Sequence, residues 1–191
     1  MENPRDAQAS VVVEVAREGN LLLTVGPEET ILRVHSTLLM AASKPFYVML
    51  GPNWKEGHDV RNHDEPAELS LPEDNAAALR LICFVIHHQN TDMPQSLTAE
   101  DVLAVAVAAE KYDCASALRS ASGSWLKTSR SEPGDLVFLA TAAYLFQNGQ
   151  TFKQITRTLK LDYDGPYLDL FQVKVESLMT WKVSCSIVIF V

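Results

Sequence analysis

Two histidines and two aspartates lie close together in this chain, at His58, Asp59, His63 and Asp64. Imidazole nitrogens and carboxylate oxygens are common ligands for zinc and other divalent metals. A metal site needs ligands held in a defined geometry, but these four residues lie in a polar stretch at 53–66 that has neither helical nor strand periodicity. We therefore predict a solvated loop there and no metal site.

Other residues capable of chemistry are equally isolated. His35 lies where a predicted strand meets a predicted helix, and we expect a hydrogen-bonded structural histidine there. His87 and His88 lie near the end of another predicted helix, where they complement the negative end of its dipole. Cys114 has no histidine near it in the sequence, so an activated thiol is not expected. Because no nucleotide-binding, hydrolase or metalloprotease motif is present, the sequence predicts no catalytic residue, no cofactor and no enzymatic activity.

Charge is divided unevenly along the chain of 191 residues, whose net charge is −8. Residues 1–125 contain 9 Lys and Arg against 18 Asp and Glu, a balance of −9, whereas residues 126–191 contain 7 against 6. Nucleic-acid phosphates need clustered Lys and Arg, so no direct contact with nucleic acid is predicted. The hydrophobic share of 47% is enough for a folded core.

Three cysteines, at 83, 114 and 185, form neither a C-x-x-C pair nor a disulfide framework, which predicts buried, reduced thiols. Residues 1–10 are polar and lack the apolar segment of a signal peptide. No apolar run reaches the length of about 18 residues that a membrane-spanning helix needs. Together these features predict an intracellular protein, in the nucleus or the cytoplasm, with no membrane partner.

Short β-branched and alternating segments open the chain and predict strands at 11–16, 21–25, 30–34 and 68–71. Helical periodicity follows at 35–42, and Ser43 is positioned to cap a second short helix that runs to Leu50. Pro72, Glu73 and Asp74 predict the start of a third helix. Its apolar face carries residues at helical spacing: Leu79, Ile82, Cys83 and Ile86.

Further helices are predicted in the second half of the chain. Thr98 and Asp101 form a variant capping box before DVLAVAVAAEKY, a segment so apolar that we expect it at the centre of the domain. Asp113 is predicted to cap a helix toward Leu118, with Trp125 anchoring its end. A later pair of helices is predicted from a cap at Asp135, a stop at Asn148 and Gly149, and apolar residues at helical spacing: Leu136, Leu139, Ala140, Ala143, Phe146, Phe152, Ile155 and Leu159. Strands followed by helices indicate an α+β fold.

Four segments, taken in this order, resemble the BTB (POZ) domain, in particular the type common in filamentous fungi. They are Val34-His35 with Leu39, Ser43 with Phe46, the strand at 68–71, and Lys111-Tyr112-Asp113. The resemblance implies an α+β BTB/POZ fold, in which a short β-hairpin and strands pack on a cluster of helices. It also implies a non-enzymatic protein–protein interaction module that associates with itself or with another BTB protein.

The resemblance divides the chain into four parts. Residues 1–10 are expected to be a flexible tail, 11–125 the BTB/POZ domain, and 126–173 the small helical extension that follows the domain in fungal members. Residues 174–191 are atypical, because the chain ends in the apolar run LMTWKVSCSIVIFV at 178–191. This tail is interpreted either as an artefact of the gene model or as a genuine terminal strand, which would promote aggregation if exposed.

Association of two subunits is the first function that the resemblance implies. BTB dimers commonly pack the two helices after the hairpin, here at 36–50, and often pair an N-terminal strand across subunits, here at 11–15. The apolar candidates for this interface are Val11, Val13, Val15, Leu38, Met40, Tyr47 and Leu50. The alternative is that these side chains fill the core of a single chain.

Recruitment of a ubiquitin ligase is the second implied function. BTB adaptors that bind a cullin often carry an apolar-x-Glu motif after the Phe-containing helix, and Trp54, Lys55 and Glu56 match it. The alternative is that Trp54 is a structural residue that covers the edge of the core. A transcription-associated scaffold is the alternative function, although Asn20 and Ser36 depart from the charged residues of dimeric transcription factors in the family.

Overall fold

The structure of the protein is a computed structural model that describes residues 12–53, 57, 65–89, 93–94, 96–127, 132–163 and 165. Four strands come first: β1 (Val12–Glu14), β2 (Leu21–Val25), β3 (Thr30–Val34) and, after two short helices, β4 (Ala67–Leu71). The helices are α1 (Ser36–Ala42), α2 (Lys44–Met49), α3 (Ala76–Ile86), α4 (Ala99–Lys111), α5 (Arg119–Trp125), α6 (Pro133–Leu145) and α7 (Gly149–Asp162). The described part of the chain is therefore a mixed α+β protein with a small sheet, as the sequence predicts.

The sheet has the order β1-β3-β2-β4. β2 and β3 form an antiparallel hairpin in which Leu21 pairs with Val34 and Val25 pairs with Thr30, and these two strands have the bounds that the sequence predicts. Gly26 follows β2 with a φ of +73°, a backbone conformation that glycine adopts without strain. β4 adds in parallel to β2, and β1 adds in parallel to β3.

α4 lies at the centre of the helical layer, as predicted from its apolar sequence. It packs against α3 on one side and α6 on the other, and six of its residues are buried: Val102, Leu103, Val105, Ala106, Ala108 and Ala109. The predicted capping box is confirmed. The Thr98 hydroxyl accepts a hydrogen bond from the Asp101 N–H at 3.1 Å, and the Thr98 N–H donates to the Asp101 carboxylate at 3.3 Å.

α6 is buried on nearly every side, because it lies between α4 and α7. Its buried residues belong to the same hydrophobic cluster as those of the sheet and of α4, so a single core extends from β2 to α7. Ile155 and Leu159, predicted from their helical spacing, are the side chains by which α7 enters this core. Trp125 ends α5, as predicted, with its ring 6.3 Å from that of Phe146.

The predicted start of the third helix is wrong. α3 begins at Ala76, and the Asn75 side chain caps it by accepting a hydrogen bond from the Ala78 N–H. Asp74 instead turns into the core, where it is buried. The prediction failed because an Asp before a helix can be stabilised in two ways, by the positive end of the helix dipole or by a cation that is distant in the sequence.

Three other predicted helix boundaries are also wrong. Asp113 caps no helix: it adopts a φ of +48° in a turn, and α5 begins only at Arg119. Asn148 and Gly149 do not end a helix but begin α7, where the Asn148 side chain accepts from the Thr151 N–H. Asp135 lies in the first turn of α6 rather than at its cap, which is Glu132.

Several predictions fall outside the described residues, namely those for the tail at 1–10, for Val11, for the segment 166–191 and for most of the loop at 53–66. Within the described residues, no helix is both long and apolar enough to cross a bilayer.

Candidate interaction surface

α1 and α2 present an almost uncharged surface to solvent. The exposed residues of the two helices are Thr37, Leu38, Ala41, Lys44, Tyr47 and Val48, and we call this set the α1–α2 surface. Lys44 is its only charged member. Leu38, Tyr47 and Val48 are exposed to 36%, 61% and 48%, which makes them half of the six large apolar side chains that the described residues leave exposed. Depletion of charge with retained aromatic and aliphatic side chains is typical of the centre of a protein–protein interface.

The opposite faces of the same two helices are anchored in the core. The side chains of Leu39 in α1 and Phe46 in α2 are at most 1% exposed. Leu50, the residue that ends α2, is buried to the same extent. The short helices thus expose one apolar face although they already bury another, so the exposed side chains are not needed to hold α1 and α2 in place.

The first polar contact that holds α1 joins Asn20 to Ser36. The Asn20 Oδ1 accepts a hydrogen bond from the Ser36 N–H, and the Asn20 Nδ2 donates to the Ser36 hydroxyl, both at 3.0 Å. These are the two positions where the sequence departs from the charged pattern of the dimeric transcription factors. The structure brings them together as a neutral, mutually satisfied pair, which single-sequence reasoning did not foresee.

The second contact joins the start of α1 to the end of α3. The His35 N–H donates to the His87 Nε2 at 2.9 Å, and the His87 Nδ1 lies 2.8 Å from the Cys83 carbonyl oxygen. A peptide N–H can only donate, so Nε2 is unprotonated, and Nδ1 carries the proton that it donates to the carbonyl. His87 is therefore neutral, and burial holds its pKa below the ordinary value of 6.5.

The structure agrees with each of the two histidine predictions only in part. His87 does bind a carbonyl at the end of a helix, as predicted, but it does so as a neutral donor and not as a cation. The His35 ring makes no hydrogen bond that caps α1, and it stacks on the His87 ring with centroids 6.1 Å apart. The hydrogen bond at His35 thus comes from its backbone and not from its side chain.

The third contact joins the start of α2 to the end of α4. The Ser43 hydroxyl accepts from the Phe46 N–H at 3.2 Å, which confirms the predicted cap, and donates to the Tyr112 carbonyl at 2.6 Å. The Phe46 and Tyr112 rings stack with centroids 4.5 Å apart and planes 8° from parallel. α2 is consequently fixed to α4 by a hydrogen bond and a ring contact at the same end.

Tyr112 is itself held from the other side by Asp74. The Tyr112 hydroxyl donates to the Asp74 carboxylate at 2.9 Å, and the Lys111 Nζ lies 2.8 Å from both carboxylate oxygens. Burial, followed by the hydrogen bond to Asp74, raises the pKa of Tyr112 above its ordinary range. Lys111 and Tyr112, from one of the segments on which the resemblance to the BTB domain rests, bind the turn before α3.

The predicted interface residues fall into three groups. Leu38 and Tyr47 are exposed, Val13 and Met40 are half-buried, and Val15 and Leu50 are buried in the core of the chain itself. Val48 is an exposed member of the surface that was not predicted, although it lies one turn after Lys44 on the same face of α2. β1, which lies in the segment predicted to pair across subunits, pairs along one of its edges with β3 of its own chain.

The residues predicted for other chemistry contribute no second site. Trp54, Lys55 and Glu56 lie outside the described residues, as do His58, Asp59, His63 and Asp64. Cys83 and Cys114 are free and buried, and burial raises the pKa of each thiol to about 12, so neither is a thiolate at neutral pH. Across the described ranges, no group of three or more His, Cys, Asp or Glu side chains could hold a metal ion.

A cleft of about 760 Å³ lies between the end of α3 and α5. Its apolar wall includes Met93, Leu97 and Trp125, and its titratable lining residues are His88 and Lys127, which are both exposed. Among the described lining residues, neither His88 nor Lys127 has a carboxylate or thiol partner.

Comparison with known proteins leaves the family open: no family model matches the chain, and no curated protein matches it. The α1–α2 surface and the three contacts that hold it are therefore the features from which a function has to be inferred.

Proposed function

We propose that this protein is a non-enzymatic interaction module of the BTB type that self-associates through the α1–α2 surface. The observation that carries the proposal is the exposure of Leu38, Tyr47 and Val48 on two helices with only one exposed charge. A two-fold symmetric dimer would bury the same patch on both subunits, which requires a patch that is compatible with itself. An apolar surface without opposed charges meets this requirement.

The order of the elements supports the BTB assignment. A β-hairpin is followed by two short helices, by a strand that returns in parallel to the hairpin, and then by a cluster of helices. The residues of the family motif also have structural roles here. Ser43 caps α2, Phe46 stacks on Tyr112, and Leu39 is fully buried.

Burial of the exposed side chains would provide the free energy of association. A large apolar side chain contributes about 1.5–3 kcal/mol when it moves from full exposure to full burial. Leu38, Tyr47 and Val48 are exposed by roughly one third to two thirds, so each would contribute a fraction of that amount, from both subunits. Over both subunits this sums to about 4–9 kcal/mol before the loss of rotational and translational freedom, so a micromolar dimer, at about −8 kcal/mol, also needs burial of the residues around these three.

Light scattering of the full chain at micromolar concentration tests this proposal. The wild-type protein should run at twice the mass of one chain. Tyr47→Asp should shift it to a monomer, because a buried, unpaired carboxylate at the interface costs several kcal/mol. The matched control is Tyr144→Asp on α6, at a tyrosine that is exposed to 44% but lies outside the α1–α2 surface.

Two results would contradict the proposal. One is a monomeric wild-type protein in the same concentration range. The other is a Tyr47→Asp variant that stays as dimeric as the Tyr144→Asp control. The roles as a cullin adaptor and as a transcription-associated scaffold stay predictions from the sequence.

A further inference from the structure

The His87 link, by which we mean the hydrogen bond from the His35 N–H to the His87 Nε2, requires a neutral ring. A protonated imidazole carries a donor on both nitrogens. Its Nε2–H would point at the His35 N–H, two donors 2.9 Å apart, while Nδ1 stays committed to the Cys83 carbonyl. The ring therefore cannot bind a proton and keep this link.

We propose that protonation of His87 opens this link, loosens the start of α1 and thereby weakens self-association through the α1–α2 surface. The last step rests on the function proposed above, whereas the opening of the link does not. His87 would then act as a proton-sensitive control on the interface although it is not part of it.

Within the part of the chain that the structure describes, no negative charge near the ring compensates its protonation. The charged or titratable groups that act on it are His35, across the link, and His88, the next residue, and both oppose a positive ring. The Cys83 thiol one turn earlier stays protonated because burial raises its pKa to about 12. Arg33, on the neighbouring β3, is bound through Nε to the Gly19 carbonyl. Among the described residues, no carboxylate acts on the ring, and neither does a charged group of α4.

The direction of the pH dependence follows from these contacts. Because burial lowers the pKa of His87, the folded protein binds a proton at this site less readily than the unfolded chain does. The link is closed above the ordinary histidine pKa of 6.5 and opens as the pH falls through the lowered pKa of the folded state. Stability supplied by the link is lost over the same interval.

Opening of the link affects the start of α1 more than the rest of the core. His35 is the cap residue of α1, and α1 is only seven residues long. The contact between Asn20 and Ser36 remains when the link opens, so we expect α1 to fray or tilt and not to unfold. Leu38 lies in the first turn of α1 and would lose its fixed position on the α1–α2 surface.

The test compares the full-length wild-type protein with His87→Gln. A glutamine can accept from the His35 N–H through Oε1 and does not titrate. The matched control is His88→Gln, which removes an adjacent, exposed imidazole that is not part of the link. The dimer dissociation constant is measured by sedimentation equilibrium at about pH 7.5 and at a second, lower pH at which NMR titration shows the His87 ring to be protonated. Amide exchange of His35 and α1 is measured on the same samples as a protection factor.

Wild type and His88→Gln should both dissociate about threefold to tenfold more readily at the lower pH, the equivalent of one lost hydrogen bond. His87→Gln should show no such change, and its α1 amides should keep their protection. Equal pH dependence in all three proteins would refute the link as a control. A wild type that is monomeric at both pH values would contradict the proposed function. The opening of the link would still be supported if the wild type loses α1 protection in acid and His87→Gln does not.

Should His87→Gln prove unfolded at neutral pH, His87→Asn, with the same acceptor on a shorter side chain, takes its place. If neither amide variant folds, the wild type decides the matter by NMR titration of the His87 ring. Loss of α1 protection that follows the His87 titration supports the proposal, and protection that is unchanged once the ring is protonated overturns it.

Discussion

Replacement of Asp74 by Ala should be one of the most destabilising polar substitutions in this protein. The Asp74 side chain is exposed to only 7%, and it accepts hydrogen bonds from the Tyr112 hydroxyl and the Lys111 ammonium. Its removal leaves the hydroxyl of Tyr112 buried without its acceptor. It also breaks the connection between the turn before α3 and the end of α4.

The magnitude follows from the two partners separately. A hydrogen bond that involves a charged group is worth about 1.5–3 kcal/mol when buried, and this value applies to Tyr112. Lys111 is 49% exposed, so its ion pair is screened by solvent and contributes only about 0–1 kcal/mol. We therefore expect Asp74→Ala to lower the free energy of unfolding by about 1.5–4 kcal/mol.

Urea unfolding at neutral pH, followed by circular dichroism, measures this loss as a change in midpoint at constant slope. Tyr112→Phe and Lys111→Met are the matched variants, and a double-mutant cycle with Asp74→Ala isolates each pairwise energy. The coupling to Tyr112 should exceed 1 kcal/mol, and the coupling to Lys111 should be smaller, in proportion to its exposure. A larger coupling to Lys111 than to Tyr112, or a total loss below about 1 kcal/mol, would refute the reasoning.

Further substitutions test other parts of the chain. Gly19→Ala should destabilise the fold by about 1–3 kcal/mol, since a Cβ there would lie 2.6 Å from the Val34 carbonyl oxygen. Gly123→Ala, where a Cβ meets nothing within 4 Å, should instead stabilise α5 by roughly 1 kcal/mol. Thermal melts of both variants measure the two effects, and equal effects would show that the close approach is unimportant. If the loop with Trp54 docks a cullin, Trp54→Ala should cost about 2 kcal/mol or more of binding in a titration with the cullin N-terminal domain. Loss of the fold in Trp54→Ala, together with unchanged binding in Glu56→Ala, would make that Trp structural.

Local signals in the sequence were sufficient for the elements that depend on neighbouring residues. The hairpin of β2 and β3 follows from strand propensity interrupted at Gly26 and Pro27. The caps at Ser43 and Thr98 bond to backbone only three residues away. The central position of α4 follows from its composition, because a helix without a polar face must be covered on several sides.

Contacts between distant residues could not be predicted in this way. Asp74 has the same sequence signal whether it starts a helix or binds Lys111, which lies 37 positions away. His87 looks like an ordinary residue at a helix end until the fold brings His35, 52 positions earlier, against its ring. Of the candidate surface, the helices 36–50 could be predicted, but which apolar residues face outward could not, because helices this short have too few residues to define a polar face.

The burial of α6 against α4 has a consequence for synthesis of the protein. A chain folds from its N-terminus as it leaves the ribosome, and the first 127 residues contain the sheet and α1 to α5 but not α6. Until α6 emerges, the apolar side of α4 that it covers in the finished protein is open to water and to other nascent chains. We therefore expect stalled chains in which residues 1–127 have left the exit tunnel but α6 has not to bind a holdase chaperone, and completed chains with α6 and α7 folded to be free of it.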